Sequence, residues 1–162
     1  MTTSSVDPTV EMAAIKVRLD ALATGTNEAP IGLCYIGIEE DTTLPLDQWS
    51  RKYPYRDFEP GSVIPAGSGR LMAANEQQQP HNWAFQIHHF APTRAGAIAL
   101  SIETDKSLIG WAPSDNAAPI TTFFFNVYDE TAKNGSRLGW IATRFYETQL
   151  GQSPDMTLEI TP

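Results

Sequence analysis

The residues of this chain with the chemistry to catalyse or to hold a metal are few and badly spaced for it. His88 and His89 are adjacent, and neighbours on a strand point to opposite faces, so they do not share a metal ion. His81 has no histidine at helical or hairpin spacing. Cys34 is the single cysteine and sits inside an apolar run, with no Cys-X-X-Cys pattern, which points to a buried structural thiol. Gly67-Ser68-Gly69 lacks the flanking glycines and the strand–turn–helix setting of a hydrolase nucleophile elbow, so a glycine turn is the better account. Glu39, Glu40 and Asp41 are consecutive, whereas a calcium loop spaces its oxygen ligands and bends at a glycine. They suit a solvated acidic turn. No nucleophile–base pair and no ligand set emerges, and the expectation is a non-enzymatic protein without metal or cofactor.

Composition narrows the remaining classes. The chain has 162 residues, 41% of them hydrophobic and 19% charged, enough for one domain with its own core. The net charge is −8, and the lysines and arginines are scattered rather than clustered. Binding along a phosphate backbone draws on several clustered cations, so no specific nucleic-acid binding is expected. An acidic wall would instead repel DNA passing beside it. No window is long and apolar enough for a membrane span, and MTTSSVDP lacks the regions of a signal peptide. A soluble protein made in a reducing compartment is expected.

The elements that would position these residues can be traced in order. Asp7-Pro8 starts a helix over residues 8–23, with Met12, Ile15, Leu19 and Leu22 as its apolar stripe and Glu11 and Arg18 off it. Gly25 and Asn27 end it. Residues 31–38 form a run so continuously apolar that it predicts a strand buried on both faces, as in the centre of a sheet. Residues 42–65 carry Pro45, Pro54, Pro60 and Pro65 and predict a long loop, of the kind that often contacts a partner. Its Trp49, Tyr53, Tyr55 and Arg56 are the candidate subunit or partner contacts there. Acidic neighbours Asp47, Asp57 and Glu59 argue against a nucleic-acid platform.

In residues 82–113, Trp83, Phe85, Ile87 and His89 alternate with polar or small residues as a half-buried strand does. Pro92 forms a corner, Thr93 is an N-cap, and Ala95, Ile98, Ile102 and Ile109 mark the buried side of a second helix. Gly110 suits the left-handed position after a helix, with Trp111 folded back over the helix end and Pro113 as the stop. A strand follows over residues 120–128, with Phe123, Phe125 and Val127 on one face and Phe124 and Asn126 on the other. Asn134-Gly135 turns it into a last strand over residues 138–150. There Leu138, Trp140, Ala142, Tyr146 and Leu150 share a face that Arg144 interrupts. Met156, Leu158 and Ile160 alternate in an extended tail that can add as a strand to another sheet edge, and complete the set of candidate contacts. The predicted fold is α+β: a mixed, mostly antiparallel sheet with two main helices packed on one face, long loops and an extended C-terminal tail. Residues 1–150 make one domain and 151–162 the tail.

This arrangement resembles the tail terminator (tail completion) proteins of long-tailed bacteriophages. The residues that carry the resemblance are the N-terminal helix, the strand from Trp83 to Phe90, the helix ending Leu108-Ile109-Gly110-Trp111-Ala112-Pro113, and Trp140 with Arg144-Phe145 in the final strand. The pattern covers about two thirds of the chain, and residues 42–75 are longer and richer in proline than the family leads one to expect. The resemblance implies a homohexameric ring that docks on the last ring of the tail tube protein, stops tube growth and meets the head–tail connector or head completion protein. It implies a place in the virion at the head–tail interface, assembly in the host cytoplasm, and DNA passing through the ring. Two rivals stand beside it: another phage neck or tail structural protein (head completion or tube protein), and an unrelated small protein-binding module.

Overall fold

A computed structural model describes residues 7–37, 43–44, 53–65, 80–131 and 137–151. The element order is α1 (Thr9–Asp20), β1 (Thr24–Gly25), β2 (Pro30–Ile31), β3 (Leu33–Ile36), β4 (Tyr55–Pro65), β5 (His81–Ala91), α2 (Arg94–Leu108), β6 (Thr121–Thr131) and β7 (Arg137–Leu150). The fold is α+β. A five-stranded sheet runs β3-β4-β5-β7-β6, with β3 parallel to β4 and every other pair antiparallel. β1 and β2 form a separate two-stranded hairpin.

Both helices lie on one face of the sheet, where the main core gathers Ile15 and Leu19 of α1, Leu108 of α2, and Phe58, Trp83, Phe85, Ile87, Tyr146 and Leu150 of the strands. The alternation in β5 is as expected, with Trp83, Phe85, Ile87 and His89 all turned inward. The inward face of β7 likewise carries Ala142, Tyr146 and Leu150, whereas Leu138, expected on the same face, packs on the other side beyond Gly139. The opposite face has a smaller cluster at one end, Tyr55, Phe90 and Leu138, with Tyr35 and Ile141 beside it.

The N-cap of α1 is Pro8 rather than Asp7; Asp7 stands one residue earlier, where its carboxylate accepts from the Thr9 N–H at 3.0 Å and from the Thr9 hydroxyl. The α1 stripe is as predicted, except that Glu11 is buried as well and accepts a hydrogen bond from the Ser114 hydroxyl. The helix ends at Asp20, before Gly25, which sits in β1 with φ +87°.

Three expectations are corrected. First, the apolar run 31–38 is not a central strand. It breaks at Gly32, where φ is +92°, and its halves belong to different sheets; β3 lies at an edge with Ile36 exposed. The positive φ calls for glycine there, and a Cβ on Gly32 would also fall 2.8 Å from Nη1 of the buried Arg56.

Second, residues 55–65 are a long strand rather than loop. The prolines that suggested a loop stand where a strand tolerates them: Pro54 just before β4, Pro60 at the irregularity between Pro60 and Val63, and Pro65 at the end. Third, α2 turns a different side to the sheet. Its buried residues are Ala97, Leu100, Ser101, Thr104 and Leu108, while Ile102 and Ile109 are exposed. A crowded polar network under the helix takes small and hydroxyl side chains, leaving the large isoleucines outside.

The helix ends behave as predicted. Thr93 Oγ1 accepts from the Gly96 N–H at 3.1 Å. Gly110 has φ +83°, and Trp111 packs against the main core beneath the Arg18 guanidinium, whose carbon is 4.4 Å from the ring centroid.

Candidate functional site

Beneath α2 a guanidinium, a hydroxyl and an imidazole are buried in contact with one another, a combination that active sites also use. Arg56 is fully buried in β4. Its Nη1 donates to the Gly32 carbonyl at 2.5 Å, its Nε to Thr104 Oγ1 at 2.8 Å, and its Nη2 to Glu103 Oε1 at 3.2 Å. His89 Nδ1 is 2.7 Å from the Ala142 carbonyl, which only accepts, so Nδ1 carries the proton. Nε2 of the neutral ring then accepts from the Thr104 hydroxyl at 2.7 Å. The bonds run in one direction, Arg56 to Thr104 to His89 to Ala142. Burial, and then the Arg56 and Arg144 charges, push the His89 pKa down to about 3 against the lift from the Ala142 carbonyl. Burial likewise lowers the Arg56 pKa, opposed by Glu103.

Arg56, Thr104 and His89 are each solvent-inaccessible, so this chain of bonds ties α2 to the sheet from within the core. A second tie does the same at β7. Arg144 Nη1 pairs with Asp105 Oδ2 at 2.5 Å, and the Tyr146 hydroxyl donates to Asp105 Oδ1 at 2.6 Å. Burial and the hydrogen-bonded Asp105 carboxylate both raise the Tyr146 phenol. The charge that interrupts the apolar face of β7 is thereby matched by a carboxylate on the covering helix.

His88 and Cys34 are likewise held by contacts within the chain. His88 points to the outer face, opposite to His89, and its Nε2 donates to Glu59 Oε2 at 2.7 Å. Cys34 is buried, and its thiol is pushed up to about 12, mainly by burial and then by Asp20. Among the described residues, no group of three or more His, Cys, Asp or Glu is placed to hold a metal ion, and no helix is long and apolar enough to cross a membrane.

The predicted contact residues divide three ways. Trp49, Met156, Leu158 and Ile160 lie outside the described residues. Tyr53 is half-buried at the entry to β4. Tyr55 and Arg56 are corrected: as strand residues they turn to opposite faces, and both are buried within their own chain. Tyr55 stacks on Phe90 with ring centroids 5.3 Å apart, so neither residue is offered to a partner.

The exposed apolar surface is elsewhere, on β6. Phe123 is 60% exposed, Phe124 53% and Phe125 39%, on the outermost strand of the sheet. Strict alternation would place Phe123 and Phe125 together, but a bulge between Thr122 and Phe124 breaks it. Phe123 and Phe124 both stand against the Phe145 ring, with centroids 5.8 and 5.3 Å away, while Phe125 lies under the Arg144 guanidinium. The sequence signal was present in the run Phe123-Phe124-Phe125; what it lacked was the strand order that puts the run at an edge. A second apolar feature is an open groove of about 700 Å³ along α1, lined by Ala13, Val17, Ala21 and Trp111 among others. It has few polar groups to orient a small molecule.

The chain matches no protein-family model and no curated protein at a significant level.

Proposed function

We propose that this protein is a structural component of a phage particle that assembles into a hexameric ring on the head-proximal end of the tail tube, ends tube growth and presents the joint to the head connector. The observation that carries the proposal is the β6 edge: three consecutive phenylalanines exposed on an outermost strand of a small acidic domain. Apolar strand edges left open invite pairing with other chains, and natural proteins normally charge, shorten or cover them. A ring of identical heterologous contacts covers such an edge in every copy at once. The terminator-like succession of strand, helix and Gly110-Trp111-Ala112-Pro113 stop supports the specific assignment. The polar groups buried under α2 serve packing, which favours an assembly role over an enzymatic one.

The test is a phage lacking this protein. The expected result is filled heads that fail to join tails, and tails of uncontrolled length, with joining restored by added protein competent to form a ring. Infectious particles with normal tails from the null phage, or virions that do not contain the protein, would sink the proposal.

A further inference from the structure

The two outermost strands of the sheet are not equivalent as acceptors. β3 has four residues, and the Cys34 N–H donates at 2.7 Å to Asp20 Oδ1 on α1. A side chain from the helix thus occupies that edge. β6 has eleven residues and, among the described residues, pairs only with β7. Its first half, Thr121 to Phe125, is uncharged and holds the exposed phenylalanines.

We infer that this half of β6 accepts residues 156–160 of a second copy of the chain as an added strand. Met156, Leu158 and Ile160 alternate with Thr157 and Glu159, so one face of the incoming strand is wholly apolar. Laid beside β6, that face meets Phe123 and Phe124, which stand together against Phe145, while its backbone satisfies the outward N–H and C=O groups of the edge.

A second copy fits better than the chain's own tail. Asn116 to Ala118 continues the line of β6 along β7: Ala118 N–H donates to Gln149 O at 2.8 Å and Gly151 N–H to Asn116 O at 2.9 Å. Gly151 lies beside Asn116, beyond the start of β6, so a chain leaving in the direction of β7 moves away from the β6 edge of its own copy. Continuing outward to a neighbour needs no reversal. One donor tail and one acceptor edge per copy make a heterologous contact, which closes a ring when the rotation allows. The inference rests on the proposed ring for its geometry.

The test uses full-length chains carrying Leu158→Pro, which disables the donor, or Phe123→Glu, which disables the acceptor; Phe124→Lys is a second acceptor variant. Native mass spectrometry and light scattering read the assembly, and circular dichroism verifies folding. Each variant alone should need at least about tenfold more protein to assemble, the effect of losing one central contact. Mixed one to one, Leu158→Pro and Phe123→Glu should form a pair and stop there, since only one donor and one acceptor remain between them.

A ring that survives Leu158→Pro, or survives both acceptor variants, overturns the pairing and leaves the ring standing. A dimer or open chain that both kinds of variant dissolve overturns the ring and leaves the pairing standing. A wild-type chain that stays monomeric overturns both.

Discussion

The β3 and β6 edges belong to the same sheet but are finished by opposite means. At β3 the strand is short, its Cys34 N–H is taken by Asp20, and Arg56 reaches from the next strand to the Gly32 carbonyl just before it. At β6 a strand of eleven residues carries Phe123, Phe124 and Phe125 in the open. One edge is closed from within its own domain, by charged side chains directed at backbone groups. The other carries exposed apolar side chains and, among the described residues, pairs only with β7. A sheet with one closed and one open edge is suited to directional growth, whereas two open edges invite uncontrolled pairing. The comparison predicts that damage at β3 acts on folding and damage at β6 on assembly.

The largest effect is expected from Arg56→Ala. It removes a fully buried side chain and its bonds to Gly32, Thr104 and Glu103, so unfolding in denaturant should show a loss of about 3–5 kcal/mol. A loss no larger than a surface substitution gives would mean that the closed edge does not depend on this residue.

Acid should weaken the same region. His89 is neutral in the fold with a pKa of about 3, against 6.5 for the unfolded residue. Between these values the unfolded state binds the extra proton, so stability from this group is complete above pH 6.5 and falls as pH drops toward 3. The slope is about 1.4 kcal/mol per pH unit. Titrating stability at pH 7, 6, 5 and 4, beside His89→Gln, isolates the contribution: the variant should be less stable at pH 7 and should have a flatter acid limb. An unchanged acid limb would place His89 outside the buried network.

Asp20→Asn is a sharper probe of the edge itself. It keeps the size of the side chain but removes the charge that accepts from Cys34 N–H and pairs with Lys16, at an expected cost of about 1–2 kcal/mol. Its assembly should match wild type at concentrations where the protein is folded. Assembly altered without a change in stability would reverse the roles assigned to the two edges.

The smallest effects are expected on the exposed side of α2 and on β6. Ile102→Ala should cost no more than about 0.5 kcal/mol, because the side chain is 42% exposed. Phe123→Glu should be similarly mild for the isolated fold, which a thermal midpoint within a few degrees of wild type would verify. A large loss at Phe123 would show that the strand contributes to the core rather than to a contact.

The class of the fold, the β5 strand, the Thr93 cap, the Gly110 stop and the stripe of α1 were legible in the sequence because each depends on neighbours a few residues apart. A hydroxyl three positions before an amide, a glycine where φ is positive, and side chains repeating with the period of a strand carry their causes locally. Residues far apart in the chain decided the rest. Residues 55–65 look like loop because their prolines disrupt any local pattern, and only pairing with β5 shows that those prolines stand at the start, bulge and end of a strand. Ile98 and Ile102 look like the buried side of α2 until Arg56 and His89 take the space beneath the helix and turn Thr104 inward. The Phe123-Phe124-Phe125 run reads equally well as core or as surface, since apolar type alone does not say on which strand of a sheet it falls. The order β3-β4-β5-β7-β6 settles it: β7 returns between β5 and β6, and the most aromatic strand is left at the edge. Local propensity chose the elements, and long-range pairing chose which of their faces meets water.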